Sequence, residues 1–257
     1  MSEVVIVPSA RAAGALVAEA IVALVRRRAD AVLGLATGSS PEPVYEALVP
    51  HAGLLRDVRG FALDEYVGLP AGHPQSYRAV IDRAVVEPLG LDPARVRVPG
   101  DDGGPLETAG DSYEDDIDDA GGIDLQLLGI GATGHIGFNE PGSSFASRTR
   151  VKTLAERTRQ DNARFFASSD DVPLHCITQG LGTIRRARHL VLLAFGESKA
   201  DAVAAAVEGP VTSALPGSAI QLHPHVTVVV DEGAAASLCF ADYYRRAWAH
   251  KPDWQGL

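Results

Sequence analysis

Short runs of apolar, mostly β-branched residues alternate along the chain with amphipathic stretches. This alternation is typical of a parallel sheet whose strands are joined by helices. The predicted strands are residues 3–7, 31–36, 58–63, 123–130, 189–195 and 225–230. No repeat, low-complexity linker or change of composition marks a second domain. We therefore predict one doubly wound α/β domain over residues 1–257, an open parallel sheet with helices on both faces.

Capping residues predict where the first helices begin. Ser9 is expected to cap a helix that ends near Arg28, because apolar residues recur on one side of that stretch. After the second strand, Ser40 is expected to cap a shorter helix that Pro41 opens. The acidic stretch Asp111–Asp119 is interpreted as the solvated face of another helix.

The composition excludes several classes of protein. The chain has 257 residues, of which 46% are hydrophobic, enough for a sizeable core and unlike a disordered or fibrous chain. Its 23 Lys and Arg against 33 Asp and Glu give a net charge of -10, so no broad basic face is available for nucleic acid. A negatively charged substrate would have to be held by a few local cations and backbone amides.

The cysteines and the N-terminus indicate a compartment. Cys176 and Cys239 are too few for a disulfide framework, which indicates a reducing environment. Glu3 and Pro8 do not fit the basic and apolar regions of a secretory signal. No stretch has the roughly 18 to 20 consecutive apolar residues of a membrane span. We therefore expect a cytoplasmic protein that has no membrane partner.

Ligands of open α/β sheets bind beyond the carboxyl ends of the strands, and three predicted strand ends have unusual polar sequences. The first is TGSSP, in which Thr37, Gly38 and Ser39 follow a buried strand and precede a helix. Exposed amides, hydroxyl groups and a glycine that permits close approach favour phosphate binding at such a place. An ordinary capped turn has the same features, so both interpretations stay open at this point.

The second strand end has Asp64 and Glu65 directly after an apolar run. A partly desolvated carboxylate fixed at the end of a strand is suited to act as a general base on a carbon acid. Paired acids in this position equally well cap a helix or form salt bridges. Both interpretations stay open here too.

The third strand end, LGIGATGHIGFNEP, contains Gly129, Gly131 and Gly134 with the spacing of a dinucleotide-binding loop. We reject a dinucleotide site, because the residues that follow form a poor helix and no acidic strand end comes about 20 residues later. The glycines instead leave room for His135 and Glu140, two groups suited to proton transfer. A single histidine is more often structural, but the nearby glutamate favours a functional role.

Two basic residues downstream are candidates for phosphate binding. Lys199 begins a helix after the strand at 189–195, where the helix dipole disfavours a cation unless an anion also binds. Arg164 lies in the sequence RFF. The chain has only three lysines, which makes Lys199 a better candidate than an average surface lysine. An exposed position without a ligand is the alternative.

Five segments together resemble one family. LGLATGSSPEPVY, FALDEYVGLP, GHIGFNEP, SRTRVKTLAERTRQDNARFF and ITQGLGTI look like glucosamine-6-phosphate deaminase, and the resemblance runs from residue 3 to about residue 232. It implies a Rossmann-like sheet and conversion of glucosamine 6-phosphate and water to fructose 6-phosphate and ammonia, with no cofactor and no metal. The implied partner is a small amino-sugar phosphate. The resemblance leaves open whether the protein is a monomer or a homo-oligomer.

The resemblance also implies roles for individual residues. Asp64 matches the base that moves a proton from C2 to C1 of the sugar, His135 the residue that opens the ring, and Glu140 the acid that supports it. The residues that match phosphate and sugar contacts are Thr37, Gly38, Ser39, Arg164 and Lys199.

Thr133 is the main departure from the family, because many members have Asp two residues before the histidine. A threonine can form a hydrogen bond with the imidazole but supplies no charge. We therefore expect altered pH dependence or speed, and retained activity.

A second group of residues concerns regulation. In allosterically activated members, N-acetylglucosamine 6-phosphate binds residues that match Ser143, Ser144, Arg150 and Lys152. The C-terminal segment CFADYYRRAWAH departs from theirs, and His189 stands where they have an acidic residue. Strong activation is therefore not expected.

Three other functions fit part of this sequence. 6-Phosphogluconolactonases share the fold and the phosphate loop but hydrolyse a lactone, and they resemble the region around His135 only in its glycine-histidine core. A deaminase of another amino-sugar phosphate, such as the galacto epimer, would differ in hydroxyl contacts that the sequence does not locate. A non-catalytic sugar-phosphate sensor is disfavoured, because Asp64, His135 and Glu140 occur together.

Overall fold

The computed structural model describes residues 2–257, without the side chains of Ser2 and Asp253. The strands in this part of the chain are β1 (Ser2–Val7), β2 (Val32–Leu35), β3 (Arg59–Ala62), β4 (Asp64–Val67), β5 (Val96–Arg97), β6 (Leu125–Gly129), β7 (Arg150–Thr153), β8 (His175–Thr178), β9 (His189–Ala194) and β10 (Val226–Asp231). The α-helices are α1 (Ala10–Arg27), α2 (Glu42–Leu48), α3 (Tyr77–Ile81), α4 (Glu87–Leu89), α5 (Leu106–Asp119), α6 (Glu156–Asn162), α7 (Leu181–Ile184), α8 (Ala200–Val207) and α9 (Ala241–Ala249).

Seven of the described strands form a parallel sheet in the order β1-β10-β9-β6-β2-β3-β5. After β2 the chain adds β3 and β5 toward one edge of the sheet, and after β6 it adds β9 and β10 toward the other edge. A topological switch point therefore lies between the neighbours β2 and β6. With the right-handed crossovers that are usual in such sheets, this strand order assigns α1 to α4 to one face and α5, α7 and α8 to the other. Ligands of such sheets bind at the carboxyl ends next to the switch point.

Helix α1 shows how the sequence builds the core. Ser9 caps it, since the Ser9 hydroxyl accepts a hydrogen bond from the backbone N–H of Ala12 at 3.2 Å. Val17 and Ile21, four residues apart, are fully buried on its inner side. Strands β2 and β9 are buried along their whole length, as expected of strands covered by helices on both faces. No helix within residues 2–257 is long and apolar enough to cross a membrane.

A second, antiparallel sheet has the order β4-β8-β7. The chain enters it directly from the large sheet. The backbone N–H of Leu63 donates to the Leu35 carbonyl at 2.9 Å, and the next residue, Asp64, begins β4. Tyr66 and Phe138 belong to a separate small apolar cluster beside this sheet. The small sheet therefore fixes the position of Asp64 next to the end of β3.

The predicted doubly wound α/β fold is confirmed, and each of the six predicted strands corresponds to a strand of the large parallel sheet. The sequence did not predict β4, β5, β7 and β8. Their sequences, DEYV, VR, RVKT and HCIT, contain no continuous apolar run of the kind that marked the predicted strands. The small sheet is therefore a finding of the structure alone.

The prediction that Ser40 caps the second helix is wrong. Helix α2 begins at Glu42, its N-cap residue is Pro41, and no side chain forms a capping hydrogen bond there. The Ser40 side chain instead lies toward the end of β6, because a Cβ atom built on Gly129 would be 3.7 Å from the Ser40 Oγ.

The acidic stretch in α5 is only partly a solvated face. Asp111 is exposed, but Glu114 is 0% exposed. The Glu114 carboxylate accepts hydrogen bonds from the backbone N–H and the hydroxyl of Thr149 at 2.7 and 2.6 Å, and it pairs with Arg186 at 2.7 Å. Burial alone would raise the pKa of Glu114, but hydrogen bonds from Thr149 and Thr183 hold this pKa below its ordinary value. The sequence pattern did not reveal this buried charge.

Candidate active site

Three segments lie at the carboxyl ends of the neighbouring strands β2, β6 and β9. They are the predicted phosphate loop (Thr37, Gly38 and Ser39), the glycine loop (residues 129–140) and Lys199. The Lys199 ammonium donates a hydrogen bond to the carbonyl oxygen of Ile130, the residue after β6, at 2.8 Å. Ser40, which follows the phosphate loop, lies beside Gly129 at the end of β6. The three segments therefore border one crevice at the topological switch point.

Thr37, Gly38 and Ser39 lie in the turn between β2 and α2. Gly38 has a φ of 82°, in the left-handed region that favours glycine, and a Cβ atom built there would have nothing within 4 Å. Thr37 is half-buried and Ser39 is exposed. The backbone of this turn is therefore open to close approach by a ligand.

Two cations influence each other at this crevice. Burial lowers the pKa of the half-buried Lys199, and the charge of Arg164 lowers it further. Arg164 lies in the turn Ala163–Phe165 after α6, with its guanidinium 4.7 Å from the centre of the Phe165 ring. Because the two positive charges repel, an anion bound near both would be stabilised.

Asp64 is a buried carboxylic acid and is only 6% exposed. Burial, with a smaller contribution from the charge of Glu65, raises the pKa of Asp64 to about 8. A carboxylate with such a pKa is a much stronger base than an ordinary aspartate, and pKa values near neutral are those that suit general bases.

Glu65, by contrast, caps a helix. Its carboxylate accepts hydrogen bonds from the backbone N–H groups of Tyr66 at 2.7 Å and of Tyr77 and Arg78 at 2.8 Å each. Tyr77 and Arg78 form the first turn of α3, so the Glu65 charge lies at the N-terminus of that helix, where it is favourable. The two interpretations of the acidic pair thus apply to different residues. Glu65 helps to cap α3, together with the N-cap residue Ser76, and Asp64 is the candidate base.

Gly137 brings the candidate base against the glycine loop. This residue has a φ of 56°, and a Cβ atom built on it would be 3.5 Å from Asp64 Oδ2. Gly137 lies between His135 and Glu140 in the chain. The Asp64 carboxylate therefore lies against the glycine loop, at the residue that separates His135 from Glu140 in the chain.

His135 lies over Gly131, where a Cβ atom would be only 2.0 Å from the imidazole Cε1. The Nδ1 atom of His135 is 2.8 Å from the Thr133 hydroxyl and 3.9 Å from Glu140 Oε2. Burial lowers the pKa of His135, the charge of Glu140 opposes this, and the charge of Lys199 lowers it again. A histidine in this environment is suited to exchange protons with a ligand.

Glu140 is 8% exposed and is held by a residue of α6. The Thr158 hydroxyl donates a short hydrogen bond to Glu140 Oε1, and Thr158 itself is 3% exposed. The two carboxylate oxygens of Glu140 therefore have different neighbours, Thr158 on one side and His135 on the other.

Sequence analysis missed two residues of this region, Thr158 and Tyr77. Thr158 lies within SRTRVKTLAERTRQDNARFF, one of the segments that resemble the family, but nothing in that segment distinguished Thr158 from its neighbours. Burial raises the pKa of the Tyr77 hydroxyl, and Tyr66, whose ring centre is 4.9 Å from that of Tyr77, raises it further. Tyr77 follows a loop rich in proline and glycine, and no pattern in the sequence indicated it.

The structure brings together part of the second predicted group. An Arg150 guanidinium nitrogen is 3.5 Å from the Ser143 hydroxyl oxygen. Arg150 and Lys152 are two residues apart on β7 and so lie on the same face of the small sheet. Ser144 is exposed, and its hydroxyl accepts a hydrogen bond from the backbone N–H of Ala146 at 3.2 Å.

His189 lies at the start of β9, the end of that strand opposite the crevice. Its Nε2 atom is 2.9 Å from the Thr227 hydroxyl, and its ring stacks on His225 with 3.7 Å between the ring centres. Burial, followed by the charges of His225 and His223, lowers the pKa of His189 to about 3. Among residues 2–257, no group of three or more His, Cys, Asp or Glu side chains is placed to hold a metal ion.

Comparisons with known proteins give relatives along the whole chain. The sequence model of a family described as glucosamine-6-phosphate isomerases/6-phosphogluconolactonase matches residues 8–229. A glucosamine-6-phosphate deaminase of Streptomyces coelicolor is 60% identical over an alignment of 260 positions, gaps included, which covers 99% of this chain and 100% of the relative. A glucosamine-6-phosphate deaminase of Bifidobacterium longum (strain DJO10A) is 57% identical over an alignment of 273 positions, gaps included, which covers 100% of both chains.

Solved structures agree with the sequence comparisons. A monomeric glucosamine-6-phosphate deaminase matches with a TM-score of 0.87 and 40% identity, over 91% of this chain and 99% of that chain. The 6-phosphogluconolactonase of Leishmania guyanensis matches with a TM-score of 0.72 and 23% identity, over 93% and 99%, a likeness of fold alone. Since the family's sequence model covers most of the chain, the protein belongs to the family of glucosamine-6-phosphate isomerases and 6-phosphogluconolactonases.

Proposed function

We propose that this protein is a glucosamine-6-phosphate deaminase, which converts glucosamine 6-phosphate and water to fructose 6-phosphate and ammonia. The observation that carries the proposal is the position of Asp64, a buried carboxyl group with a pKa of about 8 that lies against the loop of His135 and Glu140. Deaminases that are 60% and 57% identical over nearly the whole chain support the same substrate. Lactone hydrolysis requires no base for a carbon-bound proton, so the lactonase alternative is not favoured.

The first step opens the sugar ring. The C1 hydroxyl loses a proton, the ring oxygen O5 gains one, and the C1–O5 bond breaks to leave an aldehyde at C1. His135 is proposed to move this proton, because its lowered pKa keeps the imidazole neutral near neutral pH, with one ring nitrogen free to accept a proton. Glu140 Oε2, 3.9 Å from Nδ1, stabilises the imidazolium when it forms.

The second step moves a proton between carbon atoms. The aldehyde makes the C2 proton acidic, and Asp64 removes it while O1 takes a proton from the histidine and glutamate pair, which gives an enolamine. The protonated Asp64 then delivers its proton to C1, and the nitrogen on C2 becomes an iminium. Because the pKa of Asp64 is about 8, its carboxyl group is suited both to take this proton and to return it.

The last step is hydrolysis. Water adds to C2 of the iminium, the C2–N bond breaks, and ammonia leaves as the C2 ketone of fructose 6-phosphate forms. The proton released at this stage returns to the histidine and glutamate pair, so the side chains finish in their starting state. These proton transfers are complete with side chains and water, and we propose that no cofactor takes part.

The phosphate end of the substrate is proposed to lie at the turn of Thr37, Gly38 and Ser39, with Lys199 and Arg164 as its cations. The open backbone of the turn and the mutual repulsion of the two cations support this position. The Lys199 ammonium donates a hydrogen bond to the Ile130 carbonyl oxygen. A bound phosphate oxygen would accept a hydrogen bond from the same ammonium, in place of this carbonyl or in addition to it.

The deciding experiment is release of ammonia from glucosamine 6-phosphate by the purified protein. In deuterium oxide, the fructose 6-phosphate formed should contain deuterium at C1, because Asp64 exchanges its proton with solvent in some turnovers. Galactosamine 6-phosphate and 6-phosphogluconolactone serve as the two competing substrates. Hydrolysis of the lactone without release of ammonia from either amino sugar would overturn the proposal.

Two further properties are proposed on the same basis. The group Ser143, Ser144, Arg150 and Lys152 is proposed to give at most weak activation by N-acetylglucosamine 6-phosphate, because the C-terminal segment differs from that of activated relatives. The ratio kcat/KM measured with and without that compound tests this.

The free thiols of Cys176 and Cys239 support the cytoplasmic location that the sequence predicts.

A further inference from the structure

Helix α6 contacts both Glu140 and the strand that carries Asp64. The Thr158 hydroxyl donates to Glu140 Oε1, and four residues later the Asn162 side-chain amide donates to the Tyr66 hydroxyl at 2.9 Å. Tyr66 is two residues after Asp64 on β4. One short helix thus joins the carboxylate beside His135 to the strand that carries the candidate base.

The contact at Glu140 determines the orientation of its carboxylate. The terminal torsion of a glutamate is broad, so an unrestrained carboxylate would exchange its two oxygens. A hydrogen bond to Oε1 holds that oxygen toward α6 and leaves Oε2 on the His135 side, 3.9 Å from Nδ1. Both Glu140 and Thr158 are buried, at 8% and 3% exposure, so water competes little for this hydrogen bond.

Thr133 increases the importance of this orientation. The partners of His135 Nδ1 are Thr133, which has no charge, and Glu140. Among the described contacts of the imidazole, Glu140 therefore supplies the nearest negative charge. How strongly this charge stabilises the imidazolium depends on whether Oε2 points toward the ring.

We propose that Thr158 is a positioning residue for ring opening: its hydroxyl fixes the Glu140 carboxylate so that Oε2 faces His135. The proposal rests on the proposed function, because it assigns a part in that reaction to a residue that does not itself touch the sugar. It predicts that loss of the hydroxyl slows turnover of the cyclic substrate without weakening the binding of an open-chain ligand.

The experiment compares Thr158→Val, which keeps the shape and removes the hydroxyl, with Thr158→Ser, which keeps the hydroxyl. The kcat for glucosamine 6-phosphate should fall roughly 10- to 100-fold in Thr158→Val, the size of effect expected when an acid-base group is misplaced. Thr158→Ser should restore most of the rate. The open-chain alcohol 2-amino-2-deoxyglucitol 6-phosphate needs no ring opening, so all three proteins should bind it with similar affinity.

A matched control separates the Glu140 contact from general loosening of the helix. Asn162→Ala releases the other end of α6, which leads into the turn with Arg164, and should chiefly raise KM. An equal loss of kcat in Asn162→Ala and Thr158→Val would overturn the proposal, as would unchanged kcat in Thr158→Val or equally slow Val and Ser variants. If Thr158→Val does not fold, Thr158→Ala replaces it in the same comparison.

Failure of this proposal is distinguishable from failure of the proposed function. A wild-type protein that releases no ammonia contradicts the proposed function and with it the role of Thr158. A wild-type protein that deaminates its substrate, together with a fully active Thr158→Val variant, contradicts only the positioning role.

Discussion

Thr178 lies opposite Asp64 in the small sheet, and the Thr178 hydroxyl accepts a hydrogen bond from the backbone N–H of Phe138 at 3.2 Å. Phe138 belongs to the loop between His135 and Glu140. One buried side chain therefore anchors that loop directly across from the candidate base.

Thr178→Val should lower both stability and activity. The substitution keeps the shape but leaves the Phe138 N–H without this partner, at a cost of about 1 to 3 kcal/mol in the free energy of unfolding. The rate should fall because the loop that carries His135 loses an anchor. Urea unfolding and steady-state kinetics measure the two effects. Thr178→Ser is the control and should behave like the wild type; similar losses in both variants would contradict the role of the hydroxyl.

Asp64→Asn should abolish turnover and leave the fold intact, because the amide has nearly the same shape but cannot accept a proton. General bases contribute about 10² to 10⁴-fold, so residual activity above about a tenth would contradict the assignment. In the wild type, kcat/KM should decline as the pH falls below the Asp64 pKa of about 8. Asp111→Asn, at an exposed position of α5, is the control and should be fully active.

The same variant should be more stable than the wild type at alkaline pH. The pKa of Asp64 rises from 3.8 to about 8 on folding, so the folded state binds the proton more tightly and the wild type loses stability as the pH rises through this interval. Asparagine does not ionise and avoids this loss. The gain should be about 1 kcal/mol or more above the folded pKa and should vanish below the unfolded pKa. Equal gains at both ends of a pH series of urea unfolding curves would contradict this reading.

Thr133→Asp should raise the pKa of His135, because a carboxylate 2.8 Å away in place of the hydroxyl would stabilise the imidazolium. The limb of the kcat/KM profile that His135 governs should then move to higher pH. Titration of the imidazole Cε1 proton by NMR follows the same change directly. Thr133→Val, which adds no charge, is the control. Superimposable titrations of Thr133→Asp and wild type would show that Thr133 does not influence His135.

Lys199→Ala and Arg164→Ala should chiefly raise KM for glucosamine 6-phosphate, since contacts to the phosphate are made in the ground state and the transition state alike. Loss of one charge-assisted contact is expected to raise KM about 10- to 150-fold. Lys251→Ala is a matched control, because Lys251 pairs with Glu3 at the opposite end of the parallel strands, at 2.6 Å. Normal binding by calorimetry in both site variants would place the phosphate elsewhere.

All strands of the large sheet except the two-residue edge strand β5 were predictable from the sequence, because they are mostly buried. The run Leu190–Leu193, for example, is completely buried and therefore apolar at every position. Strand β7 has the sequence RVKT, and its one apolar residue, Val151, is 36% exposed, so no apolar pattern was available. The prediction that residues 1–257 form a single domain stays a prediction.

The sequence predicted those residues of the candidate site that directly follow a predicted strand. It did not predict residues that reach the site only through tertiary contacts. Asp64 and His135 adjoin predicted strands, and the sequence indicated both. Thr158 meets Glu140 only because α6 returns to the glycine loop 18 residues later, a relationship that no local pattern contains. The assigned catalytic and binding roles of all these residues stay predictions until the variants are measured.

The close packing of His135 on Gly131 has a consequence for how this fold can be altered. A motif search would take these glycines for a nucleotide fingerprint, yet the space above Gly131 is already occupied by the imidazole, 2.0 Å from where a side chain would begin. A side chain at residue 131 would therefore push the His135 ring out of its present position. Laboratory evolution toward a new substrate should therefore accept no change at residue 131 unless His135 changes with it.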